Sequence, residues 1–241
     1  MAQALSPSTM CTEMIHAARD GDLDSVRYYL DRTKAPVEAK DNEGITALMW
    51  GGMNGHLQVV RYLVEEAKAE VEAKDNFGLT ALISAAERSE VKVLRYLVEH
   101  AKARIEATDS CGSTALVHAA RKGRLEVVRY LAEAKANVEA ADLHQRWTAL
   151  IWGARNGSLK VVKYLVEKAG AKVEARGNKK GWTALMCGTF YGHLGVVRYL
   201  VEKAQACIEV EDHNGNTAVD LAFLGWTRCP SMKKFITVYI D

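Results

Sequence analysis

Gly-His-Leu-Gln-Val-Val-Arg-Tyr-Leu-Val-Glu at 55–65 decides the fold, because it comes back. Val-Leu-Arg-Tyr-Leu-Val-Glu stands at 93–99, Val-Val-Arg-Tyr-Leu-Ala-Glu at 127–133, Val-Val-Lys-Tyr-Leu-Val-Glu at 161–167 and Val-Val-Arg-Tyr-Leu-Val-Glu at 196–202. A Thr-Ala-Leu precedes each copy, at Thr46, Thr80, Thr114, Thr148 and Thr183, and Thr217 starts a degenerate one. The steps between these threonines are 34, 34, 34, 35 and 34 residues, and Thr12 lies 34 before Thr46. A fixed period in this range predicts stacked repeats rather than the one or two globular domains that 241 residues would otherwise suggest.

Residues 41–74 give the reading of one unit. Asp41-Asn42-Glu43-Gly44 is turn chemistry. Thr46 is a good N-cap, since its hydroxyl can accept from a free amide in the first helical turn. Ala47 to Met53 then predicts a short helix with a small Gly51-Gly52 pair, matched by Ala85-Ala86, Ala119-Ala120 and Gly153-Ala154 elsewhere. Asn54-Gly55 breaks the chain, and His56 to Ala67 predicts a second helix with Leu57, Val60, Leu63 and Val64 on one face. Val71-Glu-Ala-Lys returns toward the next Asp75. A single unit cannot cover both faces of its apolar helix pair; neighbouring units must cover each other.

These residues resemble the ankyrin repeat. The resemblance runs from about residue 9 to 240 and rests on Asp-x-x-Gly-x-Thr-Ala-Leu, the small pair, Gly-His-Leu and Val-Val-x-Tyr-Leu. It implies an all-α solenoid of stacked helix-turn-helix units with short hairpin fingers, and a concave face made by fingers and first helices. Residues 1–8 are expected to be a flexible tail. Residues 9–241 are expected to form one domain, with units near 9–40, 41–74, 75–108, 109–141, 142–177, 178–211 and 212–241. The chain departs from the family in places. Ala replaces the usual Pro after Thr, and the following His is Met49, Ile83, Val117, Ile151 or Met186 in the five central units. Ser89 stands for the inter-helix Gly and Arg146 for the turn Gly. The fingers after Glu139 and Glu174 carry one extra residue each. Pro230-Ser231 with Met232, Phe235, Ile236 and Tyr239 predicts a substitute helix closing the last unit.

Charge is nearly balanced, with 32 basic and 30 acidic residues, so no bulk field draws the chain to nucleic acid or a membrane. Five scattered cysteines without Cys-x-x-Cys spacing predict a reducing compartment and no zinc site. The N-terminus has no secretory pattern and no apolar run is long enough to span a bilayer. A soluble, monomeric, cytoplasmic protein is expected, with the nucleus as a second compartment.

No catalytic constellation, metal-ligand pattern or cofactor loop stands out, so no enzyme, metal or cofactor is expected. His56 and His193 fall at the inter-helix position and read as structural, whereas His118 is expected on the groove side of its helix. The ladder Tyr28, Tyr62, Tyr96, Tyr130, Tyr164 and Tyr199 reads as inter-unit packing with hydroxyls at the surface. Arg61, Arg95, Arg129, Lys163 and Arg198 each precede a Glu by four residues, which predicts self-neutralised helix surfaces.

What remains is a surface for another protein. In the family the residue before Thr points out of the finger; here it is Ile45, Leu79, Ser113, Trp147, Trp182 and Asn216. The first helices add Trp50, Trp152, Phe190 and Tyr191, and Phe77 lies at a finger tip. Clustered exposed aromatics mark interaction surfaces. Around them are Arg88, Arg121, Lys122, Arg124, Arg146, Arg155, Lys179 and Lys180. The expected partner is an acidic or apolar segment, anchored by tryptophan and bound at its carboxylates by arginine. Trp147→Ala or Trp182→Ala is expected to abolish capture and leave unfolding unchanged. Two other occupants come into view. Some ankyrin domains read methyl-lysine with an aromatic cage; Trp147 and Trp152 match its first two places, but Arg155 stands where the cage has Glu and Cys187 where it has a third Trp. Single-stranded nucleic acid is the other, since aromatics among cations can stack bases, and the balanced charge counts against it.

Overall fold

The computed structural model describes residues 6–177, 180–224 and 230–238. The five central threonines do what their position predicts, whereas Thr12 lies inside the first helix, which Ser6 caps. Thr46, Thr80, Thr114, Thr148 and Thr183 cap first helices by accepting from the amides of Met49, Ile83, Val117, Ile151 and Met186, at 3.3 to 3.5 Å. Those helices are α3 (Ala47–Met53), α5 (Ala81–Arg88), α7 (Ala115–Arg121), α9 (Ala149–Arg155) and α11 (Ala184–Phe190). Their partners are α4 (Leu57–Glu65), α6 (Val91–Glu99), α8 (Leu125–Glu133), α10 (Leu159–Glu167) and α12 (Leu194–Glu202). The chain opens with α1 (Pro7–Asp20), α2 (Leu23–Arg27) and a π-helical turn at Tyr28–Arg32, and ends with α13 (Ala218–Leu224) and α14 (Pro230–Thr237). Helix α1 starts two residues before the expected start of the domain at residue 9, with Ser6 accepting from the Thr9 amide.

The contacts group the chain into two compact units, Met1–Ser110 and Cys111–Asp241. In the first, α3 packs between α1 and α5, with α2, α4 and α6 alongside. In the second, the first helices α7, α9, α11 and α13 pack in succession, and α10 lies between α8 and α12. The apolar face of α4 is made by Val59, Val60, Tyr62 and Leu63 rather than by Leu57 and Val64, which are only half-buried. The tyrosine at this place therefore belongs to the core. Tyr62, Tyr96, Tyr130 and Tyr199 are buried, and two phenols reach back one repeat, Tyr62 to Asp31 at 3.0 Å and Tyr96 to Glu65 at 3.1 Å. Tyr28 departs from the ladder and is exposed.

The fingers are held by single antiparallel bridges, Lys40 to Thr46, Ala141 to Thr148 and Gly177 to Trp182. In three fingers one aspartate organises the turn in the same way. Asp41 Oδ1 accepts from the amides of Glu43 and Ile45, Asp75 Oδ1 from Phe77 and Leu79, and Asp212 Oδ1 from Asn214 and Asn216. Arg146 takes the positive φ (53°) that Gly44 and Gly78 take elsewhere, so the longer finger keeps its turn without glycine. His56 and His193 hydrogen-bond through Nε2 to the carbonyls of Arg19 and Arg155, at 2.9 and 2.7 Å; the structural role their position implied is here a link between consecutive repeats.

Candidate functional site

The finger before α9 and the helix itself supply the first wall of a cleft in the second unit. Trp147 precedes the cap residue Thr148, Trp152 follows it by four residues and Arg155 by seven, one helical turn beyond Trp152. Trp152 is fixed from both ends. Its Nε1 donates to Asp142 Oδ2 at 2.8 Å, and Asp142 Oδ1 accepts from the Gln145 amide at 2.6 Å. Trp147 meets Trp152 edge to face, with centroids 4.8 Å apart at 75°. The next repeat supplies the opposite wall. Trp182 leans on Phe190 at 4.8 Å, and Phe190 stands edge-on to Tyr191 at 5.3 Å.

Arg155 lies among these rings. Its guanidinium carbon is 5.6 Å from the Trp147 centroid, 5.2 Å from Trp152 and 4.7 Å from Tyr191. Such cation–π contacts contribute about 0.5–2 kcal/mol each, more as water is excluded. Arg121, at the end of α7, lies 5.5 Å from Trp152, and Lys180 Nζ lies 5.2 Å from Trp182. The cleft holds about 320 Å³ and is lined by Gln145, Trp147, Trp152, Arg155, Lys180, Trp182, Phe190 and Tyr191. Two of these side chains are cations and none is an anion.

Several expected positions are corrected. Ile45, Trp147 and Trp182 do not project from the fingers; they are 4%, 5% and 5% exposed. The backbone carbonyl of the residue before Thr closes the finger, from Ile45 to the Asp41 amide, Trp147 to Asp142 and Trp182 to Gly177, which turns its side chain onto the neighbouring repeat. The Trp182 indole then donates to Asp212 Oδ2 of the following finger at 2.9 Å. Ser113 is also buried, and Leu79 is half-buried. His118 is buried rather than groove-facing, with Nδ1 2.9 Å from Arg121 Nη2. The ring surface left to a partner is that of Trp152, Phe190 and Tyr191, all half-buried.

Other residues fall outside this cleft. Lys122 is exposed just after α7 and does not line it, and Lys179 lies outside the described residues. In the first unit Phe77 is exposed at its finger tip (64%) and Arg88 is exposed at the end of α5. Trp50 repeats the Trp152 arrangement there. It donates to Asp41 Oδ2 at 2.8 Å, lies 5.9 Å from Arg19, and lines a separate cavity of about 330 Å³ with Arg19, Lys40 and Asp41.

The arrangement can bind but offers no evident nucleophile. Burial pushes the Cys187 thiol far up despite the opposing charge of Arg155, so the thiolate is disfavoured. Among the described residues no group of three or more His, Cys, Asp or Glu could hold a metal ion, and no helix is long and apolar enough to cross a membrane. Sequence reasoning found the rings and Arg155 but missed Gln145, a polar residue in a turn with no distinguishing pattern. The Arg155 guanidinium lies among the rings, so a cation occupies the place where a methyl-lysine cage has Glu, as the sequence indicated.

Residues 14–109 and 100–177 match the family model described as ankyrin repeats in three copies, and residues 180–213 match the model of the single ankyrin repeat. The structure is similar to the ankyrin repeat domain of Bcl-3, described as a unique member of the IkappaB protein family. That match has a TM-score of 0.75 and 26% sequence identity, and covers 93% of this chain and 97% of the other. No curated protein sequence matches the chain.

Proposed function

The chain belongs to the ankyrin repeat family, and on that premise we propose that it is a non-catalytic protein-interaction module whose second unit seats a segment of another protein in the Trp152–Arg155–Tyr191 cleft. Members of this family are typically interaction modules rather than enzymes. The observation that carries the reading is the set of half-buried rings held in fixed positions around cations, with no anionic side chain lining the space. Fixed aromatic rings lose little entropy on binding, and Trp, Tyr and Arg dominate interaction hot spots. The cations favour a segment with acidic and apolar residues. The partner is a cytoplasmic or nuclear protein, consistent with scattered cysteines that lack Cys-x-x-Cys spacing, and the module acts as a monomer.

The test is affinity capture with the wild-type chain and with Trp152→Ala/Tyr191→Ala, compared by mass spectrometry and accompanied by urea unfolding of both proteins. Partners retained by wild type and lost by a folded double variant are expected. Equal capture by both would remove the cleft from the binding surface.

A further inference from the structure

Four tryptophans lie among the described residues, and three of their indole N–H groups donate to a finger aspartate: Trp50 to Asp41, Trp152 to Asp142 and Trp182 to Asp212. Trp147 Nε1 is buried and has no hydrogen-bond partner. The reason lies thirty residues on. Trp182 finds its acceptor at position 212 of the following finger; the corresponding position for Trp147 is 177, which is glycine. Gly177 has the backbone role of the finger aspartate, its amide donating to the Trp182 carbonyl as the Asp212 amide donates to Asn216. It lacks the carboxylate. Nor is there room for one, because a Cβ at 177 would run into Trp147 Cδ1 and sit 2.8 Å from the Arg146 carbonyl oxygen.

A second residue lining the same cleft has a donor in the same state. Arg155 Nε is buried and unpartnered, while Nη1 donates to Asn156 Oδ1 at 3.2 Å. Nε and the adjoining Nη of a guanidinium form a fork that takes both oxygens of a carboxylate. Trp147 and Arg155, the two residues with unsatisfied buried N–H groups, both line one space with aromatic walls and no lining anion. Buried donors without partners are rare and point to a missing group.

We propose that the missing group is a carboxylate of the partner, an Asp or Glu side chain flanked by large apolar residues, taking the part that aspartates play for the other three indoles. This rests on the cleft being the docking site and specifies what it recognises. The guanidinium fork and the Trp147 indole hold the carboxylate, and the faces of Trp152, Phe190 and Tyr191 cover the flanking side chains. A glutamine at that place has one oxygen, no charge and an amide that meets only other donors. The expected discrimination is roughly tenfold or more, as for the loss of a charge-assisted hydrogen bond.

The experiment uses the full chain, 15N-labelled, with the Trp147 indole resonance assigned by Trp147→Phe. Three acetylated and amidated peptides, Ala-Leu-X-Phe-Ala with X as Glu, Gln or phosphoserine, are titrated in by NMR. The Glu peptide is expected to move the Trp147 Nε1–H resonance downfield and to bind roughly tenfold or more tighter than the Gln peptide. Arg155→Met, which keeps the aliphatic packing, should erase that difference, and Arg155→Lys should restore only part of it. Equal binding of Glu and Gln peptides at the cleft overturns the carboxylate seat and leaves docking intact. Preference for phosphoserine reassigns the seat to phosphate and overturns this proposal. No shift at Trp147 with up to about 1 mM Glu peptide, about the weakest binding a real seat would give, overturns it as well, and segments captured by the folded wild type but not by Trp152→Ala/Tyr191→Ala would then show that only the seat had failed.

Discussion

Trp182 donates its indole N–H to Asp212 Oδ2 across 2.9 Å, tying one finger to the next. The same carboxylate accepts from the Asn214 and Asn216 amides through Oδ1. Burial by itself would raise the Asp212 carboxyl, but the hydrogen bonds from Asn216, Trp182 and Asn214 outweigh it and hold the group below the ordinary carboxylate value. With a depressed folded pKa, the stabilisation is complete above the unfolded carboxylate range near about 4 and disappears as pH falls through the folded value. Acid titration followed by tryptophan emission should therefore show Trp182 unchanged down to about pH 4 and altered only below it. Asp212→Ala should remove this transition and cost at least about 1–3 kcal/mol in urea unfolding, since it leaves buried donors unpaired.

The burial of the finger tryptophans reverses the sequence-based expectation for their truncation. Trp182→Ala or Trp147→Ala should lower stability by about 3–5 kcal/mol, the range for large buried aromatics. Trp152→Ala should cost less, because that ring is only half-buried. Equilibrium urea unfolding of the three variants checks the order. A Trp182→Ala protein as stable as wild type would mean that its indole is not a structural strut.

Alkaline pH should act through the tyrosine ladder. Burial, then the Glu65 hydrogen bond, raise the Tyr96 phenol to about 12, and burial and Glu167 do the same for Tyr199. A phenol with a raised folded pKa stabilises the fold fully below the unfolded value, and that contribution is lost as pH rises through the folded one. Stability should fall between about pH 10 and pH 12. Glu65→Gln should weaken the effect at Tyr96 and leave Tyr199 alone, as read by ultraviolet phenolate titration with each tyrosine replaced by Phe in turn.

Two glycines separate close contact from backbone strain. Gly177 does not have a positive φ, yet a Cβ there would collide with Trp147; Gly170 has φ of 71° and nothing within 4 Å of a Cβ. Gly177→Ala should cost about 1–3 kcal/mol by overpacking and move the Trp147 indole resonance. Gly170→Ala should cost about 1–2 kcal/mol through backbone conformation alone and leave that resonance in place.

Much of the fold was legible because the repeat writes the same local rules again and again. Thr46 through Thr183 cap where expected, and His56 and His193 have the structural role their position implied. The paired Arg61–Glu65 and Arg95–Glu99 are present at 3.4 and 3.1 Å, while Arg129 turns back to Glu126 at 3.6 Å. Contacts between repeats were harder to read. Nothing near Trp147 in sequence announces that Gly177 will receive its ring, or that the same glycine withholds the acceptor that Asp212 gives Trp182. Nor does an arginine one turn after a tryptophan reveal that three rings will close around it. These relations are set by stacking at a thirty-residue offset, where one missing side chain changes the chemistry of a neighbour.

Hydrogen–deuterium exchange of the full chain with a captured partner segment tests the central claim most directly. Protection confined to residues 142–155 and 180–191, the two walls of the cleft, is the result this account predicts. Protection instead on the outer faces of the second helices, 91–99 or 159–167, with the cleft walls exchanging as in the free protein, would contradict it.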